Sequence, residues 1–145
     1  MIFGIRFIKF LSFFFVVFFV AHGVALYSFL YWKVSWLDIV MHFLGGALVA
    51  SAMVWWVYFS GRISLPRLSF FFTLTLILGG VALIGVLWEF FEFLVDKFIT
   101  KNNYIDLLQL GVIDTMKDLF MDILGGLAVG LLFLYERKKQ TKEQT

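Results

Sequence analysis

Apolar residues run along this chain in four long blocks separated by short polar breaks: about Phe7 to Tyr31, Trp36 to Phe59, Leu68 to Val95 and Ile113 to Tyr135. At about 1.5 Å of rise per residue, a helix made from any one of them crosses the roughly 30 Å hydrocarbon core of a bilayer. The pattern predicts an all-α integral membrane protein, a four-helix bundle in one domain, because the breaks are too short to hold another. A polar, basic tail, residues 136–145, follows and reads as disordered. Arg6 and Lys9 ahead of the Phe and Val run of the first block resemble a signal-peptide start. The block exceeds the about 7 to 15 residues of a signal core and no small-residue cleavage site follows, so it reads as a retained helix.

Composition strengthens this picture. Of 145 residues 62% are hydrophobic, 20 are Phe and only one is Pro, and the mean hydropathy is +0.96; a soluble domain of this size has no interior large enough for so much apolar surface. There is no Cys, which excludes disulfides and thiolate metal ligands. Eight of the 12 basic residues (Arg6, Lys9, Arg62, Arg67, Arg137, Lys138, Lys139 and Lys142) fall on the side of the termini, against Lys33, Lys97, Lys101 and Lys117 on the other. The positive-inside bias then predicts both termini in the cytoplasm, with the segment from Asp96 to Ile113 outside as a partly apolar loop placed to act as a lid. The basic flanks are an orientation signal toward the lipid bilayer, and no nucleic-acid partner is expected.

An internal repeat links the second and fourth blocks at an offset of 80 residues (Asp38 to Asp118). DIVMHFLGG at Asp38–Gly46 and DLFMDILGG at Asp118–Gly126 share the form DxxM(H/D)xLGG. Both copies run the same way through the membrane, so two helical hairpins related by an axis along the membrane normal are expected. Gly45, Gly46, Gly125 and Gly126 predict a close crossing of the two helices, since small residues let backbones approach where lipid offers no hydrophobic incentive. Gly126 with Gly130, and Gly46 with Ala50, extend the small-residue stripe.

Polar chemistry is concentrated at one end of the bundle. Seven of the 10 acidic residues, Asp38, Glu89, Glu92, Asp96, Asp114, Asp118 and Asp122, lie in or at the ends of the second, third and fourth blocks, and His42 joins them. Helical periodicity puts Asp38 and His42 on one face, Glu89, Glu92 and Asp96 on another, and Asp114, Asp118 and Asp122 on a third. An acid at the bilayer centre costs roughly 2.5 to 3.5 kcal/mol on insertion scales, so such a set faces itself or a water-filled cavity. Its repulsion must be relieved by bound cations or by protonation. His42, Glu89, Glu92, Asp118 and Asp122, with Asp38 beside them, are the candidate ligands of a divalent metal cation. Asp38, Asp96 and Asp114 also admit a structural reading: Ser35 and Asp38 are spaced as a capping box, and Asp114 as an N-cap. His22 is a further candidate, and Trp88 a candidate wall. Trp32 and Trp36 at one interface, and Trp55, Trp56 and Tyr58 at the other, read as aromatic belts.

DIVMHFLGG, WEFFE and DTMKDLFMDILGG together resemble the small bacterial membrane proteins called VanZ-like and YjdF-like, over about residues 36 to 130. WExxE followed by DTxxDLxxDxxG is more similar to the YjdF-like group, whereas the Gln and Arg expected after the third-helix acid of a VanZ-like protein are replaced here by Glu92 without an Arg. The resemblance implies a bacterial cytoplasmic membrane location and a shared polar site, and no particular reaction.

Three activities fit. Carboxylates and one His suit Mg, Mn, Zn or Fe, and hence a metal-dependent activity on a membrane or lipid-linked substrate. Buried acids with a His equally suit proton or cation coupling in transport, which in so narrow a bundle would require a homodimer. A non-catalytic membrane factor whose site holds a cation to lock the bundle is the third. P-loop, phosphatidyl-alcohol transferase and prenyltransferase signatures are missing, and there is no Ser beside a His for triad hydrolysis.

Overall fold

The computed structural model describes residues 2–61, 69–98, 100 and 107–143. Among these there is no strand; the elements are α1 (Ile2–Tyr27), α2 (Leu30–Lys33), α3 (Leu37–Val54) running on into a π-helical turn (Trp55–Phe59), α4 (Phe70–Phe98) and α5 (Val112–Glu143). Four helices, α1, α3 with its π turn, α4 and α5, are long and apolar enough to cross a membrane.

Two boundaries differ from expectation, each with a local cause, and one expected cap is missing. The first span breaks after Tyr27, where Phe29 takes a left-handed φ of 55° and the Lys33 ammonium donates to the Ser28 carbonyl at 3.1 Å. Leu30–Lys33 thus becomes a separate turn. The last helix continues through Glu143 instead of ending at Tyr135, so most of the expected disordered tail is helical. Glu136, Arg137, Lys138, Lys139 and Gln140 are good helix formers, and basic side chains suit a helix C-terminus. The Ser35 cap does not form: α3 starts behind Trp36 with no side-chain cap. Residues 62–68 (with Arg62, Pro66 and Arg67), 99, 101–106 and 144–145 lie outside the described residues.

Helices α3 and α5 run parallel and cross closely, with α4 antiparallel to both. A Cβ on Gly46 would fall on the backbone carbonyl of Asp122, and one on Gly125 on the carbonyl of Phe43, so any side chain at either position pushes the helices apart. The pairing is not the expected one of all four glycines. Gly126 faces Val81 and Gly130 faces Leu74, both on α4, while Gly45 looks toward Phe18 of α1 and the Asp122 carboxylate. Each helix contributes one glycine to the crossing, and the contacts Gly46 to Asp122 and Phe43 to Gly125 are related by an offset of 79 residues (Gly46 to Gly125), one short of the sequence repeat. Below the crossing, Ala50 and Val54 pack with Ile77 and Val81 of α4 against Val129 and Phe133 of α5.

Helix α1 stands apart. Phe7 meets Phe59 at a ring separation of 5.6 Å, and α1 packs along α3 and its π turn without backbone packing on α4 or α5 among the described residues. Side chains bridge part of that distance: the His22 ring lies edge-on to Trp88 of α4 at 5.3 Å, and Phe7 packs against the cluster that includes Ile77 and Val81. Phe13, Phe15, Val16 and Val20 of α1 are exposed, as befits a lipid-facing helix. At the other end from the acids, the π turn closes with the Ser60 amide donating to the Trp55 carbonyl at 2.9 Å. This extra residue in the turn presents Tyr58 to Thr73 at 2.7 Å and to the Arg137 guanidinium at 3.4 Å, so Tyr58 ties three helices together.

Candidate metal centre

The α3–α5 crossing brings two helical faces together, and α4 closes them from the side. His42, Glu89, Glu92, Asp118 and Asp122 are all buried, at 2–8% exposure, whereas Asp38 is only partly covered. Five ionisable side chains in a helical membrane bundle at such burial need partners. His42 Nδ1 lies 3.5 Å from Asp122 Oδ1, and Nε2 lies 3.8 Å from Asp38 Oδ1. Glu92 accepts from the Trp88 indole at 3.0 Å, and Glu89 from the Gln109 amide at 3.1 Å. That amide also reaches Thr115 at 3.0 Å. One oxygen on each of Glu89, Asp118 and Asp122 remains buried with no hydrogen-bond partner.

Two overlapping sets have donor atoms within 4.8 Å of one another: Asp38, His42 and Asp118, and His42, Glu89 and Glu92. A cation bound at roughly 2.0 to 2.6 Å from its ligands spans donor atoms up to about 5 Å apart, so both sets match the size of a coordination shell. With Asp122 beside Nδ1, Nε2 of His42 is the nitrogen turned toward Asp38. A carboxylate against one nitrogen is the usual way a metal-binding imidazole is oriented.

The remaining candidates have other work. Asp96 accepts from the backbone amides of Leu108 at 2.9 Å and Gln109 at 2.8 Å and from the Thr100 hydroxyl at 3.3 Å, and so anchors the segment entering α5. Asp114 pairs with Lys117 at 2.7 Å and reaches back to the Leu110 amide at 3.4 Å. It sits in the first turn of α5, behind Gly111, and is not its N-cap. His22 Nδ1 is 2.6 Å from the Tyr31 hydroxyl. Burial first, then the charges of Asp38 and Glu92, push the Tyr31 pKa up. The hydroxyl therefore stays protonated and can donate to or accept from the His22 ring, which it holds at the edge of the cluster.

Sequence reasoning missed two contributors. A Cβ on Gly85 would come within 2.6 Å of Asp122 Oδ2, so this glycine makes the room into which the carboxylate turns. Its spacing, four residues before Glu89 and seven before Glu92, was a readable signal. Gln109 lies in the approach to α5 and carries none.

An apolar groove of about 500 Å³ runs between α1 and α3–α4 and ends against His42, Asp122 and Glu92. A second cavity of about 280 Å³, containing Trp32, Asp114 and Lys117, meets it at His22, Tyr31, Asp38 and Glu92. No curated protein and no solved structure matches the chain. Residues 1–139 match the family described as "Predicted membrane protein (DUF2238)". With four membrane-length helices over that same stretch, the chain belongs to the DUF2238 family of integral membrane proteins.

Proposed function

We propose that this is a divalent-cation-binding membrane protein whose centre is formed by His42, Glu89, Glu92, Asp118 and Asp122, with Asp38 at its open side, and which acts on a membrane substrate. The observation that carries the reading is that Glu89, Asp118 and Asp122, each beside the His42 imidazole, each keep one buried oxygen without a hydrogen-bond partner. An isolated buried carboxylate is costly by several kcal/mol, and a shared cation offsets that cost for all of them together. Gln109 and Trp88 hold one oxygen each of Glu89 and Glu92, which leaves the other oxygens for a cation. The likeness of the helix-end motifs to VanZ-like and YjdF-like proteins supports a polar site of this kind in a small bacterial membrane protein. The distribution of basic residues supports cytoplasmic termini and therefore a centre near the extracytoplasmic face.

Elemental analysis of detergent-purified protein after gel filtration tests the reading. Stoichiometric metal is expected, with its loss in the Glu89→Gln, Asp122→Asn double variant. Metal-free protein with a function that titrates near neutrality would overturn it in favour of proton coupling.

A further inference from the structure

The groove beside the cluster has the dimensions of a lipid chain. Its walls follow α3 from Asp38 to Ala52 and α1 from Ile8 to His22, fourteen residues of helical rise or about 21 Å. One leaflet contributes about half of a roughly 30 Å hydrocarbon core, so a leaflet's chain fits along it. The volume of about 500 Å³ is that of a ligand site. Phe15, Val16 and Ile84 on its rim are exposed, so it opens sideways to lipid. Groove and cluster are continuous: His42, Glu92 and Asp122 form its polar end. The neighbouring cavity then offers room for a headgroup beside Tyr31 and Lys117.

We infer that the groove holds one hydrocarbon chain of a lipid phosphate drawn laterally from the surrounding leaflet, with its phosphate against the cluster. The inference rests on the cation reading for the headgroup end: carboxylate-held hard cations keep positions that phosphate oxygens fill, and cations offset the negative charge that repels a phosphate. It rests on the groove alone for the chain end, where α1 packs on α3 without backbone packing on α4 and so leaves a gap between α1 and α4.

The test uses the full chain in phosphatidylcholine nanodiscs with Trp88, which borders the groove, as sole tryptophan (Trp32→Phe, Trp36→Phe, Trp55→Phe, Trp56→Phe). A minor fraction of chain-brominated phosphatidic acid, with magnesium present, is expected to quench Trp88 at least about twofold more than the same fraction of brominated phosphatidylcholine. Ser12→Phe and Ala52→Phe, which fill the groove from opposite walls without touching the cluster, each abolish the difference while magnesium binding persists. Added inorganic phosphate leaves the quenching in place. Equal quenching by the two lipids, quenching unchanged in both groove variants, or displacement by inorganic phosphate overturns the inference. Stoichiometric magnesium with equal quenching overturns the inferred phosphate lipid and leaves the cation reading standing. Preferential quenching that survives EDTA leaves the chain in the groove and overturns the cation reading.

Discussion

Gly45 and Gly46 are neighbours in sequence with opposite surroundings, and substituting each by alanine separates the packing argument from mere glycine chemistry. At Gly46 the added Cβ falls on the Asp122 carbonyl oxygen and lies 2.6 Å from its carbon and 2.7 Å from its Cα. These are backbone atoms of another helix and cannot rotate away. Restoring ordinary contact means parting α3 and α5 by on the order of 1 Å, and forced overpacking costs about 1 to 3 kcal/mol, the upper end applying where backbone must move. At Gly45 the Cβ meets Phe18 Cζ at 3.5 Å and Asp122 Oδ1 at 3.8 Å, both ordinary contacts. There the helix gains about 0.5 to 1 kcal/mol from losing a glycine. The two alanines should therefore differ by about 3 kcal/mol in stability, with Gly46→Ala destabilised and Gly45→Ala unchanged or better. Equilibrium unfolding in mixed detergent micelles, followed by tryptophan fluorescence, measures the difference. Gly46→Ala should also weaken cation binding, because the same separation pulls Asp122 from His42. Equal stability of the two variants, or the reverse order, would refute the crossing at Gly46.

Gly85→Ala is expected to lower cation affinity about tenfold while leaving unfolding nearly unchanged, because the carboxylate end of Asp122 swings aside more easily than backbone; isothermal titration with magnesium or manganese checks it, and unaltered affinity counts against Asp122 as a ligand. Asp96→Asn should free the segment before α5, each charge-assisted bond being worth about 1.5 to 3 kcal/mol, and amide exchange at Leu108 and Gln109 should quicken while that of α3 does not. Single cysteines in this Cys-free chain test orientation: a Cys at Lys139 should resist an impermeant thiol reagent in intact cells and a Cys at Leu110 should react, with the opposite pattern inverting the topology.

The four spans and the three polar faces were legible because spacing within a helix fixes which side chains share a side. Asp38 with His42, Glu89 with Glu92 and Asp118 with Asp122 could be grouped before any packing was known. The position of α1 was not legible. Beyond Arg6 and Lys9 near its start, its sequence is apolar all round apart from Ser12 and His22, so no face is marked for burial and nothing predicts that it stands away from α4. Tethering by Asp96 was equally hidden, since its partners are backbone amides far along the chain, and amides carry no side-chain signature. Which glycines meet depended on helix rotation, which a repeated LGG motif does not specify to within one residue.

That one-residue discrepancy governs how many chambers the chain can have. A symmetric pair of hairpins would turn the polar residues of its two equivalent helices to opposite flanks of their shared axis, giving two half-sites. Here the crossing equates Gly46 with Gly125, and hence Phe43 with Asp122 and His42 with Met121. The α5 carboxylates are thereby rotated by about 100° from where strict symmetry would put them, onto the flank that α4 covers. The two copies of the motif are consequently not interchangeable: transplanting the α3 segment into α5 at the aligned position would bring a histidine into the Asp122 place, yet exchanging the hairpins whole would dismantle the one chamber without building a second.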